Sequence, residues 1–204
     1  MIRRLALVAA AALVAAPFIS VGSASAAETV IARCTSAKGS TKLLPGLGHD
    51  KKSQTGTSPD TKTGATPDGF SGCSKTAGGG PSSGFFTASI TSTQPLACPH
   101  ALGGPTDPPV GTIIFRGTTH ISWNTGATSN GTVAVKQTAT VGQVRVITTF
   151  TSGTFFKSGH TTKARVTFAF SPNQASFDCT TAGNPNPLKH FNISNVGDLV
   201  VSRV

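Results

Sequence analysis

From Thr112 to Asn124 the chain alternates without a break. Ile113, Phe115, Gly117, Thr119, Ile121 and Trp123 fall on one side, and Ile114, Arg116, Thr118, His120 and Ser122 on the other. Successive side chains point to opposite faces only in an extended strand, so a run of this length is read as one long β-strand, with Gly117 as its natural bend. The same period recurs downstream. Val133 and Val135 alternate with Thr132, Ala134 and Lys136. Val144, Val146, Thr148 and Phe150 alternate with Arg145, Ile147 and Thr149, and Ala164, Val166, Phe168 and Phe170 with Lys163, Arg165 and Thr167. Gly142 and the Ser152-Gly153 to Ser158-Gly159 segment supply the turns between them. Upstream, Phe86, Ala88 and Ile90 share one face of a further strand, and residues 29–34 and the segments around Phe177 and Val200 suggest more. No window of ten residues carries an apolar stripe at helical spacing.

These elements predict an all-β fold of roughly eight to ten antiparallel strands. The expected arrangement is a two-sheet β-sandwich, immunoglobulin-like or jelly-roll-like. A single curled barrel is the alternative, and alternation alone does not separate the two.

Residues 1–26 read as an export signal: a basic Met1-Ile2-Arg3-Arg4, an Ala-rich apolar run from Leu5 to Ile19, and a small-residue cleavage site at Ala24-Ser25-Ala26. Removing them from 204 residues leaves a single domain of 178, residues 27–204, and takes two arginines from a net charge of +10 to leave +8. What remains is thinly apolar, with fewer than a third of its residues hydrophobic and 30 of them Thr. Residues 36–69 are rich in Gly, Ser, Thr, Lys and Pro, and a mobile loop is expected near 50–68. The first Cys is Cys34, too far from the cleavage site for lipid anchoring. No mature stretch approaches the ~20 apolar residues of a membrane-spanning helix. The expected location is outside the cell.

Cys34, Cys73, Cys98 and Cys179 are an even set in an exported chain, so two disulfides are expected. Of the three connectivities, Cys34–Cys73 with Cys98–Cys179 is favoured: it brackets the least structured region and ties the middle of the chain to its last quarter. The spacings are too wide for a zinc site, and no cofactor is expected.

Catalytic signals are sparse. The whole acidic set is Glu28, Asp50, Asp60, Asp68, Asp107, Asp178 and Asp198, most of it in Pro- and Gly-rich loops, and the five histidines, His49, His100, His120, His160 and His190, show no metal-binding spacing. Gly80-Pro81-Ser82-Ser83-Gly84 matches the nucleophile-elbow pattern, but a Gly run precedes it and a strand follows it, so it is read as a turn. No catalytic residue is assigned.

Lys136, Arg145, Lys163 and Arg165 occupy outward positions on three successive strands and would give one face a basic stripe, suited to anionic cell-wall polymer. The same residues also keep a sheet soluble. Nucleic acid is disfavoured, since the chain has no Tyr and one Trp on the apolar face. Phe155 and Phe156 lie in a Gly-flanked connection where they either project as a contact surface or plug the end of the fold, the latter being the expectation.

The Ala-rich signal, Leu44-Pro45-Gly46-Leu47, Gly69-Phe70-Ser71-Gly72-Cys73, the Trp-bearing strand, Thr151-Ser152-Gly153-Thr154-Phe155 and the late Cys179 together resemble a class of small secreted β-sandwich proteins of high-GC Gram-positive bacteria that have no assigned activity. The resemblance implies fold and export and brings no catalytic residue. The expectation is therefore a secreted, non-enzymatic protein of the cell envelope or its surroundings, in weak contact with anionic polymer or another secreted protein. The rival is a secreted hydrolase whose site is assembled only by the fold.

Overall fold

The structure is a computed structural model and describes residues 27–60, 68–98, 108–174, 176–183 and 186–204. The expected export signal, His100, Asp107 and part of the expected 50–68 loop lie outside the described residues. Every named element is a strand: β1 (Thr29–Leu47), β2 (Thr55–Ser58), β3 (Gly69–Lys75), β4 (Ser83–Ser92), β5 (Ile113–Trp123), β6 (Thr128–Gln137), β7 (Gln143–Gly153), β8 (Thr162–Pro172) and β9 (Leu188–Arg203).

All pairings are antiparallel and they form one continuous sheet, not two. From β3 to β9 each strand hydrogen-bonds the next in chain order, and β1 bonds both β3 on one side and β9 on the other. The sheet therefore closes on itself as an eight-position β-barrel, and the expected two-sheet sandwich is corrected. One position in the ring is shared. Residues 32–38 of β1 pair with β3, while residues 42–44 pair with the short β2, and β4 likewise pairs first with β3 and then with β2.

Closure depends on the part of the chain that the sequence marks least. β1 runs on to Leu47, through a segment whose Gly, Ser and Lys content reads as irregular. Its buried positions, Ala32, Cys34, Ala37, Ser40, Leu43 and Leu47, do not keep a period of two, because its ladder with β9 shifts register between Val30 and Ala32, between Cys34 and Lys38, and between Lys42 and Leu47. Bulges sharpen the local twist and bend a strand, which is what wrapping a sheet into a barrel requires. A smaller bulge between Ile113 and Phe115 turns Ile114 inward, so that both Ile114 and Phe115 are buried, contrary to strict alternation. Phe177 lies outside any strand and is exposed.

Elsewhere alternation holds, with apolar side chains inside and mostly polar ones outside, Phe85 on β4 being an exposed apolar exception. Thr87, Ser89, Thr91, Arg116, Thr118, His120 and Ser122 face solvent. This is the reverse of a membrane-spanning barrel, whose outer band is apolar. Among the described residues no helix is long and apolar enough to cross a membrane.

The disulfides are Cys34–Cys73, joining residues directly opposite on β1 and β3, and Cys98–Cys179, fastening the β4–β5 connection to the β8–β9 connection. In the chain-entropy model, loops of 39 and 81 residues correspond to about 4 kcal/mol each. That matters for a thinly apolar chain.

The absence of a side chain at Gly117 has a steric reason. A Cβ there would lie 1.9 Å from the Ser89 carbonyl oxygen and 2.7 Å from the Ile90 Cα, because β4 and β5 approach closely at this point. Gly117→Ala is expected to destabilise the barrel by at least about 3 kcal/mol, against less than about 0.5 kcal/mol for the neighbouring outward Thr118→Ala. Urea midpoints of the two variants check this.

Candidate functional site

The barrel interior is packed at its ends and open in its middle. At the Trp123 end, Phe155 packs edge-on to Trp123 at 5.3 Å between ring centroids and 5.6 Å from Phe150, while Phe70 stacks on Phe86 at 5.0 Å. The Trp123 indole donates to Ser129 Oγ at 2.9 Å, and Lys75 Nζ sits 5.4 Å from the Phe155 ring centre. At the opposite end Leu47, Leu96, Cys98, Ile114 and Leu188 are completely or almost completely buried.

Between these layers Ile90, Val144, Val146, Thr148 and Ile193 point inward but are only partly buried. A side chain that faces the inside of a closed barrel and still has free surface borders an unfilled space. That space is a cavity of about 160 Å³ whose wall draws residues from both core clusters. Eight strands enclose an interior that large side chains just fill or that smaller ones leave open for one small molecule. Here the partly buried layer of Ile90, Val144, Val146, Thr148 and Ile193 leaves part of that interior unfilled.

Three of the hydroxyls on the wall are turned into it. Thr119 Oγ1 donates to the Thr87 carbonyl at 2.8 Å. Thr41 Oγ1 lies 3.1 Å from Ser58 Oγ, which in turn contacts Asp68 Oδ2 at 2.8 Å and the Ser40 carbonyl. The surface offered to a guest is therefore almost entirely hydrocarbon.

Asp68 closes the seam where the wall changes from β3 to β2. Its Oδ1 accepts from the Ser40 backbone N–H at 2.7 Å and from Ser40 Oγ at 3.2 Å, and its own carbonyl accepts from Phe86 N at 3.1 Å. Gly39 makes room for it: a Cβ there would lie 2.5 Å from the Asp68 carboxyl carbon. Beside it the buried Asp60 donates its backbone N–H to Ser40 Oγ at 3.0 Å, and its carboxylate contacts His190 Nδ1. Burial raises the Asp68 pKa, opposed by the Ser58 and Ser40 hydrogen bonds and assisted by the nearby Asp60 charge. The sequence placed both acids in a loop, and nothing in their local residues marks them as buried.

The residues singled out from the sequence are distributed as follows. Phe155 is buried and plugs the Trp123 end, while Phe156 is 44% exposed beside it. Lys136 and Arg145 are directly opposite on β6 and β7, and Lys163 and Arg165 follow on β8, so the four share the outer wall. They are not an uninterrupted basic stripe. Arg165 Nη1 contacts the Glu28 carboxylate and donates to Ser202 Oγ at 2.7 Å, and Arg145 and Arg165 share a shallow depression with Glu28 and Asp198. Hydrogen bonding from Ser202, then from Arg165, holds the Glu28 carboxyl below its ordinary range.

His120 places Nε2 3.4 Å from Ser122 Oγ and Nδ1 2.8 Å from Asn130 Oδ1, but on the exposed outer wall. Asp178 accepts from the backbone and hydroxyl of Thr180 in a turn, and Asp198 pairs with Arg33 at 3.7 Å. Ser82 of the elbow-like pattern lies in the β3–β4 turn, where its hydroxyl accepts from Asn124 Nδ2 at 2.8 Å. Among the described residues no group of three or more His, Cys, Asp or Glu is arranged to hold a metal. No family model, curated protein or solved structure matches the chain.

The Asp68 shift has a definite sign. The fold favours the protonated acid, so its folded pKa lies above the unfolded one. Its stabilising contribution is complete below the ordinary carboxylate range, about pH 4, and is lost as pH rises through the raised value. Asp68→Asn mimics the protonated acid in shape and hydrogen bonding. The variant is expected to lose less stability than the parent between acid and neutral pH, as read by urea midpoints across that range.

Proposed function

We propose that this is an exported, non-enzymatic binding protein that holds one small apolar molecule inside its barrel. The observation that carries the proposal is the inward-facing, half-buried middle layer around a cavity of about 160 Å³. Emptiness of that size in a core has a price in stability, roughly 20 cal/mol per Å² of cavity surface, which a guest would restore. An apolar cavity of about 150 Å³ stays dry and accepts a benzene-sized guest, so the ligand is of single-ring or short-chain size.

Export is supported by the signal-like residues 1–26 and by two disulfides, which suit an oxidising compartment. The contact with anionic polymer is not carried into the proposal, because Glu28 neutralises Arg165 and Asp198 shares its depression. The hydrolase alternative finds its best geometry in His120 and Ser122, which sit on the open outer wall and not in a cleft.

The single Trp is part of the cavity wall, so its fluorescence reports occupancy directly. Titration with isobutylbenzene is expected to change Trp123 emission saturably and to raise the melting temperature. Val146→Phe, which projects a ring into the space, is expected to abolish both responses while raising the melting temperature of the free protein. Unchanged emission and melting in the parent at saturating hydrocarbon would refute the proposal.

A further inference from the structure

Five hydroxyl-bearing residues border the cavity: Thr41, Thr57, Ser58, Thr119 and Thr148. Thr41, Ser58 and Thr119 hydrogen-bond within the wall, and Thr57 lies on the exposed face of β2. Thr148 differs from all four. It shares the inward face of β7 with Val144, Val146 and Phe150, it is only partly buried, and its hydroxyl has no hydrogen-bond partner among the described residues. Nor is that hydroxyl sealed into the wall: among the described residues, the side-chain polar atoms that are both enclosed and unpartnered belong to Gln137 alone. The neighbours of Thr148 fix its side chain. It lies between Val133 on β6 and Ala164 on β8. Its methyl occupies room that Gly131 leaves, since a Cβ at position 131 would lie 2.7 Å from Thr148 Cγ2. A β-branched side chain has few χ1 positions, so with the methyl held against β6 and only a short Ala on the other flank, the hydroxyl is left uncovered inside the barrel.

A Val at this position would present the same shape without a polar atom, as Val144 and Val146 do on the same face. A hydroxyl that faces hydrocarbon without a partner destabilises the free protein. It is instead suited to a guest that brings the missing partner into the chamber.

We propose that Thr148 is the polar anchor of the cavity, and that the ligand is a single-ring or short-chain apolar molecule carrying one hydroxyl group. The proposal rests on the cavity-binding reading above and names the class of its ligand. A Thr hydroxyl has one donor and two acceptor sites, so a guest hydroxyl can meet it as acceptor or as donor. A charged group would enter a space with no charged residue on its wall. A pure hydrocarbon would fill the volume and leave the Thr148 hydroxyl as it is.

Benzyl alcohol and ethylbenzene have nearly the same shape and differ in one terminal group, a hydroxyl against a methyl, so they separate the two contributions. Each is titrated into the purified, disulfide-bonded protein and into Thr148→Val, followed by calorimetry and Trp123 fluorescence. Benzyl alcohol is expected to bind the parent about fivefold more tightly than the variant, while ethylbenzene binds both within about twofold. Thr148→Ser keeps the hydroxyl and is expected to hold benzyl alcohol within about twofold of the parent. Should Thr148→Val fail to fold, Thr148→Ala is compared with Thr148→Ser in the same way. Equal benzyl alcohol affinity with and without the hydroxyl, or binding of ethylbenzene alone, overturns the role of Thr148 and leaves the cavity reading intact. Failure of both probes to bind the parent overturns the cavity reading, and this inference with it.

Discussion

The pairing of β1 with β9 is the constraint on which the rest of this structure depends. It joins the first strand to the last, removes the free edges an open sheet would expose, and converts a meander of neighbouring strands into a closed wall. Once the wall is closed, the interior volume is set by strand number and tilt rather than by how far two sheets approach each other. Side chains must then fill a space whose width they did not choose. Phe and Trp do so near the Trp123 end and Leu and Ile near the Cys98 end, while the partly buried Ile90, Val144, Val146, Thr148 and Ile193 between them do not.

The closed wall also explains where the polar groups went. β2 and β3 share one position in the ring, so the wall has a seam at which backbone donors of β1 lose their strand partner. Asp68 supplies the missing acceptor to Ser40, and Gly39 leaves the room for it. An acid in a wall of this kind is held toward its neutral form by burial, while Ser40 and Ser58 keep it hydrogen-bonded. Gln54 plays a comparable part at the barrel end by bonding the Gly46 and Lys52 backbone. Against these satisfied groups Thr148 stands out, since its position on the ladder is as well fixed as theirs and its hydroxyl has no such task.

Much of the wall was legible in the residues themselves. β4 to β8 follow from alternation, and the end plug from the tendency of Phe155 to be buried. β1 beyond Cys34 was not, because three bulges break its period and its composition resembles a loop. The site was less legible still. Val144, Val146 and Thr148 read as ordinary core positions, and only the geometry of closure shows that they border a cavity. The basic residues were correctly placed on one outer wall, yet Glu28, distant in sequence, reaches Arg165 only in the folded chain.

By itself the sequence determined that this chain is made of antiparallel strands with an apolar and a polar face, that its cysteines suit disulfides, and that signs of catalysis are sparse. These are local properties, fixed by side-chain period and residue type within a few positions. The tertiary structure decided that the strands form one closed barrel, that the barrel is hollow, and that Asp68 is buried in its wall. Those outcomes depend on hydrogen bonds between residues more than a hundred positions apart, as in Thr29 with Arg203 and Leu47 with Leu188, and no local pattern encodes them.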